Sequence, residues 1–207
     1  PVSSTILKLT RIADTNSAFA APGQNFAVDR TAEDSPSRLP AKIRTGMSRF
    51  FTREELIVQR AAWKSGGKTV VFTNGCYDIL HPGHVRLLER ARSLGDVLIL
   101  ALNGDASVQR LKGPARPFFD ERTRVEMALH LEAVDAVTLF DEDTPRELIA
   151  AVLPDVLVKG ADWAHFIAGR EEVEAGGGQV FALPLEPGYS TTDIAEKIAT
   201  REPALQP

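Results

Sequence analysis

The amino-acid sequence predicts an α/β fold, a Rossmann-like open parallel sheet of about five strands with helices on both faces. Short β-branched runs alternate with helical segments of about 10 residues from residue 52 onward. Such alternation is typical of right-handed crossovers in a parallel sheet. The 207 residues, 43% apolar and 25% charged, are typical of a single globular domain.

Periodicity and capping signals predict each element in turn. Thr52-Arg53-Glu54-Glu55 is a capping-box sequence that opens a helix, and Thr144-Pro145-Arg146-Glu147 predicts a second one with Thr144 as the cap. Gly95 stands at the expected C-cap of the helix over 85–94. The predicted strands are 68–73, 97–102, 136–140, 156–158 and 180–183, and the predicted helices are 52–65, 85–94, 105 onward, 120–131, 144–152, 171–175 and 190 onward.

Residues 1–46 differ from the rest of the chain. They are rich in Ser, Thr, Ala, Pro and Asp and have no sustained helical or strand period. We expect residues 1–46 to be a disordered or non-native extension, and residues 47–207 to be the functional domain, starting at Met47. Charged residues interrupt the apolar segment that a secretory signal peptide would need.

Charge, apolar runs and cysteine content exclude several classes of function. Residues 50–207 carry 17 Lys and Arg against 24 Asp and Glu, so we expect no nucleic-acid partner. The longest apolar run, Val97 to Leu102, is far shorter than the roughly 20 residues of a membrane-spanning helix. The single cysteine, Cys76, excludes an internal disulfide and favours a reducing compartment, so we expect a cytoplasmic protein.

The segment from Thr73 to His84 carries the clearest chemical signal. It follows the first predicted strand, and ligands of open α/β sheets bind beyond the carboxyl ends of strands. His81 and His84 flank Gly83 at a helix N-terminus, where free N–H groups and the helix dipole attract anions. Each imidazole can also donate a hydrogen bond to a phosphoryl oxygen. The pattern indicates a polyphosphate site; the alternative is a pair of polar turn residues.

Other catalytic motifs fail on inspection. Gly67-Lys68-Thr69 is similar to the end of a P-loop, but Ala62 stands where the first glycine belongs. The sequence contains no Gly-x-Gly-x-x-Gly turn, His-Glu-x-x-His pair or Gly-x-Ser-x-Gly elbow. Cys76 is interpreted as a small residue beside the ligand loop, because no dedicated base marks it as a nucleophile.

The run Thr73-Asn74-Gly75-Cys76-Tyr77-Asp78, followed by His81-Pro82-Gly83-His84, resembles the His-x-Gly-His nucleotidyltransferases, whose loop cradles a nucleoside triphosphate. Within that superfamily, residues 68–199 are similar to the adenylyltransferase domain of bacterial ADP-heptose synthesis. The supporting segments are 103–108, 110–113, 116–117, 142–145, 154–160 and 188–192.

The resemblance implies a reaction and a set of roles. AMP would pass from ATP, accompanied by Mg²⁺, to D-glycero-D-manno-heptose 1-phosphate, giving pyrophosphate and ADP-heptose for lipopolysaccharide or surface glycan synthesis. The implied catalytic residues are His81, His84 and Lys112, with the largest rate effect at His84. The implied nucleotide-binding residues are Thr73, Asn74, Gly75, Cys76, Gly83, Asn103, Asp105, Arg116, Lys159, Ser190, Thr191 and Thr192, and the implied substrate-binding residues are Tyr77, Asp78, Asp162 and Trp163.

Some of these residues also have ordinary structural interpretations. Ser190, Thr191 and Thr192 suit the N-cap of the last helix, and Asn103 and Asp105 suit the cap of the helix after the second strand. Glu186 departs from related cytidylyltransferases, which carry an arginine nearby, and this counts against a glycerol-phosphate-like acceptor.

Two other functions stay open at the level of the sequence: a cytidylyltransferase for another polyol or alcohol phosphate, and a non-catalytic nucleotide-binding protein. In many heptose enzymes this domain is fused to a ribokinase-like kinase. The 207 residues of this sequence leave no room for one, so we expect a separate kinase to supply heptose 1-phosphate. Similar proteins are commonly dimers, so the resemblance also implies that a homodimer is one candidate assembly.

Overall fold

The structure, a computed structural model, describes residues 48–163 and 165–200. The extension expected over 1–46 and the start expected at Met47 lie outside these residues. Within the described part of the chain, no helix is both long enough and apolar enough to cross a bilayer.

Strands and helices alternate along most of the described chain. The strands are β1 (Arg49–Phe50), β2 (Val70–Gly75), β3 (Val97–Asn103), β4 (Ala136–Phe140), β5 (Val156–Gly160) and β6 (Gln179–Leu183). The helices are α1 (Arg53–Ser65), α2 (Pro82–Arg92), α3 (Asp105–Lys112), α4 (Glu121–Leu129), α5 (Arg146–Val152), α6 (Arg170–Ala175) and α7 (Thr191–Ala199). A 3₁₀ turn, Ala161–Trp163, follows β5.

The described strands form one parallel sheet in the order β1-β4-β3-β2-β5-β6. The predicted open parallel sheet is confirmed, but the expected number of about five strands is too low because it omits β1. The two residues of β1 pair with Ala136 and Val137 of β4, and a two-residue strand is too short to show a period. In the centre, Phe72 of β2 pairs with Ile99 on one side and Leu157 on the other.

Apolar clusters cover both faces of the sheet. Ile99 of β3 belongs to one cluster, whereas its neighbours Leu98 and Leu100 belong to the other. Successive strand side chains point to opposite faces, so α1, α5 and α6 cover one face and α2 and α4 the other. Helices on both faces were predicted, and this is confirmed. All of β3 is buried, which explains its continuous apolar sequence.

At the ends of α1, α2 and α5, one predicted cap is confirmed and two are wrong. Thr52 and Glu55 form the predicted reciprocal capping box of α1. The prediction of Thr144 as a cap is wrong, because Pro145 occupies the N-cap of α5 and a proline ring has no oxygen to offer. Gly95 is not a C-cap, since α2 ends at Arg92. A Cβ on Gly95 would lie 2.7 Å from the Thr69 carbonyl oxygen, so a close strand approach requires this glycine.

The strand order places a topological switch point at the middle of the sheet. From β2 the chain adds β3 and β4 on one side, then crosses to add β5 and β6 on the other side of β2. Crevices at such points, beyond the carboxyl ends of the strands, are where open α/β sheets bind ligands. The ends of β2 and β5, at Gly75 and Gly160, therefore mark the expected site.

Candidate active site

A cavity of about 440 Å³ opens at the carboxyl edge of the sheet, where β2 and β5 end. The loops after β2, β3, β4 and β5 and the first turn of α7 line it. All but one of the residues predicted for the site belong to its lining: Thr73, Asn74, Gly75, Cys76, Tyr77, Asp78, His81, Gly83, His84, Asn103, Lys112, Arg116, Lys159, Asp162, Trp163, Ser190, Thr191 and Thr192. The individual roles of these residues stay predictions.

The two histidines lie stacked at the start of α2. His81 is the N-cap residue, and its Nδ1 accepts a hydrogen bond from the backbone N–H of His84 at 3.3 Å. The ring centroids are 3.8 Å apart, and the ring planes are 14° from parallel. Because Nδ1 of His81 is the acceptor, Nε2 is the donor of the neutral ring.

Burial favours the neutral form of both imidazoles. Burial, with a smaller contribution from His81, lowers the pKa of His84 to about 4. Burial also lowers the pKa of His81 below its ordinary value. Nδ1 of His84 is buried and has no hydrogen-bond partner among the described residues. Since an unpaired buried polar atom costs free energy, this nitrogen is a natural contact point for a bound ligand.

The turn between the histidines presents the positive end of α2. Pro82 occupies the first helical position, where a backbone N–H is not needed. Gly83 is buried, and a Cβ there would lie 3.1 Å from ring atoms of His81 and from the Cβ of Tyr189. Glycine therefore permits the close approach of the His81 ring and Tyr189. The helix dipole and free N–H groups make this turn a ready anion site.

Tyr77 forms the wall beside His84, with ring centroids 4.8 Å apart. Its φ of 48° lies in the left-handed region, which is uncommon for a non-glycine residue. The ring is buried, its hydroxyl bonds with the Thr73 side chain, and burial raises the pKa of the phenol. A Cβ on Gly75 would lie 2.9 Å from this ring, so glycine makes room for it. The predicted contact between Tyr77 and the substrate stays a prediction.

Asp78 is only 1% exposed and holds the loop that follows α3. Its carboxylate accepts hydrogen bonds from Nε of Arg116 at 2.6 Å and from the backbone N–H groups of Phe118 at 2.7 Å and Phe119 at 3.0 Å. These bonds show Asp78 as a support of the cavity wall, and its predicted substrate contact stays a prediction. Arg116 can reach a phosphate only through its terminal nitrogens, since its Nε is already bonded.

Arg124 of α4 is a site-building residue that the sequence analysis missed. Its buried guanidinium donates to the backbone oxygens of Cys76 at 2.8 Å, Asn103 at 2.7 Å and Phe119 at 3.0 Å. It thereby joins the ends of β2 and β3 to the loop before α4. The signal that could have found it is its position, because a cation on the buried side of a helix is rarely there without partners.

Asp105 is the predicted site residue that the cavity does not include. Its carboxylate accepts a hydrogen bond from Arg124 at 2.7 Å, and its backbone N–H donates to Glu121 at 3.0 Å. Asp105 thus pairs with Arg124 outside the cavity lining, and its predicted nucleotide contact stays a prediction. The alternative capping role is wrong for Asn103 and Asp105, because Gly104 is the N-cap residue of α3.

Cys76 and Asn103 meet in the wall between β2 and β3. The Cys76 thiol donates to Oδ1 of Asn103 at 3.8 Å, and Nδ2 of Asn103 donates to the hydroxyl of Ser107 at 3.0 Å. Burial raises the pKa of the Cys76 thiol. The thiol is thus protonated at neutral pH, which makes it a weak nucleophile.

Two lysines line the cavity, one at the end of β5 and the other at the end of α3. Nζ of Lys159, at the end of β5, donates to the backbone oxygen of Asn74 at 3.1 Å and lies 5.6 Å from the centre of the Trp163 ring. Burial lowers the pKa of Lys159 to about 8, although nearby Asp162 acts in the opposite direction. Lys112, at the end of α3, is exposed. The cavity is therefore lined by one largely buried lysine and one exposed lysine.

The opposite wall begins at Ser190, the N-cap residue of α7, whose hydroxyl accepts from the backbone N–H of Asp193 at 3.3 Å. The structural interpretation of Ser190 as a cap is confirmed, and the predicted triphosphate contacts of Ser190, Thr191 and Thr192 stay predictions. Glu186 pairs with Arg86 of α2 at 2.5 Å. This ion pair joins the segment before α7 to the histidine-bearing helix.

The metal prediction has a partial chemical basis. Residues 48–163 and 165–200 contain no group of three or more His, Cys, Asp or Glu side chains that could hold an ion by themselves. Mg²⁺ commonly uses one or two carboxylates together with substrate phosphates and water. Asp143 and Asp162 line the cavity and fit that pattern. The residues thus suit Mg²⁺ that arrives with a nucleoside triphosphate.

The fold and the site together define the class, a nucleotidyltransferase with its histidine pair at the switch point of a parallel sheet. Comparison with known proteins specifies the family. Residues 72–197 match the family described as cytidylyltransferase-like, and the chain belongs to that family. The match confirms the resemblance to the His-x-Gly-His nucleotidyltransferases found in the sequence.

Curated relatives agree with this assignment. The chain is 52% identical over 152 residues to the bifunctional protein HldE of Azorhizobium caulinodans. The aligned residues cover 73% of this chain and 32% of that protein. It is 47% identical over 189 residues to the bifunctional protein HldE of Trichlorobacter lovleyi, covering 89% of this chain and 38% of that protein. The chain thus spans about a third of the length of these relatives.

A solved structure supports the fold alone. The pantoate-beta-alanine ligase of Francisella tularensis, complexed with beta-gamma ATP and beta-alanine, superposes with a TM-score of 0.50 at 15% sequence identity. The match covers 74% of this chain and 78% of that chain. At this identity, the likeness concerns the arrangement of strands and helices only.

Proposed function

We propose that this chain is an adenylyltransferase that transfers AMP from ATP to D-glycero-D-manno-heptose 1-phosphate, forming ADP-heptose and pyrophosphate. The observation that carries the proposal is the stacked pair of imidazoles at the N-terminus of α2 inside the switch-point cavity. The similarity to HldE proteins and the heptose-enzyme segments in the sequence support the choice of acceptor. Such a product would serve lipopolysaccharide or surface glycan synthesis.

In the proposed reaction, a phosphate oxygen of the sugar 1-phosphate attacks the α-phosphorus of ATP. The new P–O bond forms as the bond to the β-phosphate oxygen breaks, and pyrophosphate leaves in line with no covalent enzyme intermediate. Catalysis of this kind depends on positioning and on stabilising charge on the phosphoryl oxygens. His81 and His84 are N–H donors whose stacked rings lie at the start of α2, suited to the transferring phosphoryl group.

The cationic groups of the cavity are proposed to neutralise phosphate charge. Lys112 is exposed, so its long side chain is free to pair with the leaving pyrophosphate. Lys159 and the terminal nitrogens of Arg116 offer further positive charge to the same cavity. Mg²⁺, bound to ATP as part of the substrate, would neutralise phosphate charge, with Asp143 or Asp162 within the same cavity.

Asp162 and Trp163 are assigned to the acceptor side in this proposal. They lie on the 3₁₀ turn after β5 and line the same cavity as the histidines. Trp163 is 45% exposed, and an exposed ring beside a cavity offers an apolar face to a sugar or a base. The proposal puts the sugar there and the triphosphate over α2.

Transfer of CMP is the second candidate, because the matching family is described as cytidylyltransferase-like. Glu186 bears on its usual acceptors: the side chain is anionic and already paired with Arg86 and Arg90. It therefore adds no positive charge to bind a glycerol phosphate. The proposed reaction keeps ATP and the heptose phosphate as the expected pair.

A substrate panel tests the proposal. The full chain is incubated with ATP, CTP, GTP or UTP and with heptose 1-phosphate, glycerol 3-phosphate or another sugar phosphate, while pyrophosphate release is followed. We expect the highest kcat/KM with ATP and heptose 1-phosphate. A preference for CTP and another alcohol phosphate would establish the second candidate. ATP binding without pyrophosphate from any pair would make the chain a non-catalytic nucleotide-binding protein.

We further place the reaction in the cytoplasm, where ATP is available and a lone cysteine stays reduced. The proposed partners are the small molecules ATP and heptose 1-phosphate, with no nucleic acid. The homodimer stays a prediction that light scattering after gel filtration can check.

A further inference from the structure

Tyr189 is an aromatic residue of the cavity mouth to which the reaction described above gives no role. It lies one residue before the N-cap of α7, and 39% of its surface is exposed. Its ring centroid lies 6.0 Å from that of His81, and the two ring planes are 20° from parallel. Four rings therefore follow one another as neighbours: Tyr77, His84, His81 and Tyr189.

His81 needs support on the side away from His84. The one described hydrogen bond of its ring, which Nδ1 accepts from the His84 backbone N–H, is long at 3.3 Å. Such a bond restrains the ring weakly, since most N–H···acceptor distances are closer to about 2.9 Å. His84 covers one face of the His81 ring. A neighbour that limits rotation of the imidazole fixes where its donor nitrogen points.

Two contacts hold Tyr189 in this place, and an ion pair supports one of them. The absence of a side chain at Gly83 lets the Cβ of Tyr189 approach the first turn of α2, where an added Cβ would come within 3.1 Å. The guanidinium of Arg86, on α2, lies 5.7 Å from the centre of the Tyr189 ring. Arg86 is in turn paired with Glu186 at 2.5 Å. Tyr189 is thus docked on α2 by contacts separate from those of α7.

We propose that Tyr189 is a positioning residue for His81. Its ring restrains the imidazole by stacking and fixes the position of the imidazole relative to the hydroxyl-bearing segment 190–192. The proposal rests on the nucleotidyl transfer proposed above. Tyr189 lies next to Ser190 in the chain and next to His81 in space, so it joins the two walls of the cavity. Through this contact, the imidazole donors and the first turn of α7 can bind the same triphosphate at the same time.

The stacking face of the ring, and not its hydroxyl, carries this function. Tyr189→Phe keeps the ring and Tyr189→Ala removes it. We expect Tyr189→Ala to lower kcat about tenfold with the KM for ATP within about threefold, less than the roughly 10²-fold that a full 1 Å misplacement costs. Tyr189→Phe should retain the kcat of the unmodified chain. Phe181→Ala is the matched control, because Phe181 of β6 is similarly exposed at 36%.

A spectroscopic measurement makes the test independent of turnover. The chain has four histidines, so nitrogen NMR of labelled imidazoles can follow the tautomer of His81. We expect a single Nε2–H tautomer of His81 in the unmodified chain and in Tyr189→Phe, and a mixture of tautomers in Tyr189→Ala. A mixture of His81 tautomers without a fall in thermal stability would indicate a positioning effect. Thermal unfolding of each variant is therefore measured as well.

The outcomes separate the two proposals. Unchanged kcat and an unchanged His81 tautomer in Tyr189→Ala would overturn the positioning role. Equal losses in Tyr189→Phe and Tyr189→Ala would also overturn it, because the hydroxyl would then be responsible. If the unmodified chain releases no pyrophosphate with any substrate pair, the proposed function fails, and the His81 tautomer alone decides the role of Tyr189.

Discussion

The two walls of the cavity are built in different ways. The α2 wall, made of the loops after β2 and β3 and the start of α2, is cross-linked by buried polar groups. Asp78 accepts three hydrogen bonds, and Arg124 donates four. The α7 wall, made of the 3₁₀ turn after β5 and the first turn of α7, is more exposed. None of the α7 residues, all of which the structure describes, is buried.

This difference indicates a division of labour. Segments with few buried contacts open at low free-energy cost, whereas buried, hydrogen-bonded segments open only with the whole domain. The α2 wall is thus preformed, which suits groups that must stabilise charge without reorganising. The α7 wall can adjust as substrates enter, as lids and binding loops commonly do. We expect changes to the α2 wall to lower kcat or stability, and changes to the α7 wall to alter substrate binding.

The largest expected effect is on the α2 wall, at His84. His84→Ala removes an imidazole donor and should lower kcat by about 10²- to 10³-fold, the usual cost of losing one such contact. The measurement is the rate of pyrophosphate release at saturating ATP and sugar phosphate. His130→Ala, at an exposed histidine at the C-terminus of α4, is the control and should leave kcat unchanged. Equal kcat in both variants would show that His84 on the α2 wall does not take part in catalysis.

Next in size is the effect of Asp78→Ala on stability. The change leaves the largely buried Arg116 and two backbone N–H groups without their acceptor, which should lower the free energy of unfolding by about 3 kcal/mol. Asp143→Ala is a matched control, because Asp143 also pairs with an arginine, Arg110, but is 75% exposed. Such an exposed pair contributes about 0.5 kcal/mol. Urea denaturation measures both, and equal losses would contradict the preformed wall.

The sequence predicts the α2 wall well in its elements and poorly in its connections. The helix around His84 and its position after β2 follow from local patterns of apolar spacing and glycine. The pairing of Asp78 with Arg116 joins residues 38 positions apart, and the bond from Arg124 to Cys76 joins residues 48 positions apart. Such contacts exist only once the sheet has formed, so local spacing does not indicate them.

Convergence of the predicted site residues in one cavity has a simple physical cause. Parallel strands end at the same edge, so residues predicted at strand ends become neighbours without any knowledge of their contacts. Asp105 is the exception, because its carboxylate pairs with Arg124 of α4 and does not line the cavity. The two residues of β1 were missed for a different reason, since a strand of that length has no detectable period.

A smaller effect is expected where the two walls meet, at Lys159, whose Nζ bonds to the Asn74 backbone. Burial lowers its pKa to about 8, so the ammonium is charged below that pH and is lost as the pH rises through it. At pH 9 about a tenth of the side chains would carry the charge, and the KM for ATP should rise about fivefold between pH 7 and 9. Lys159→Arg keeps its charge throughout this range and should flatten the dependence. Parallel pH profiles for both proteins would exclude Lys159 from ATP binding.

The smallest expected effect belongs to the α7 wall, at Ser190. Ser190→Ala removes the cap of α7, worth about 1 kcal/mol of helix stability. Because α7 contributes no buried residue, we expect little change in global unfolding and a rise of about threefold in the KM for ATP, as for the loss of a contact of that size or less. The measurement is the KM for ATP and the unfolding midpoint of each variant.

Two further variants separate capping from phosphate binding at the same position. Asparagine and aspartate cap helices as well as serine does, but only aspartate adds a negative charge. If Ser190 acts only as a cap, Ser190→Asn and Ser190→Asp should both restore the KM for ATP. If its hydroxyl faces the triphosphate, Ser190→Asp should raise the KM above that of Ser190→Ala, because the carboxylate repels the phosphates. We expect this second pattern, since Ser190 and the first turn of α7 line the cavity in which the triphosphate is proposed to bind.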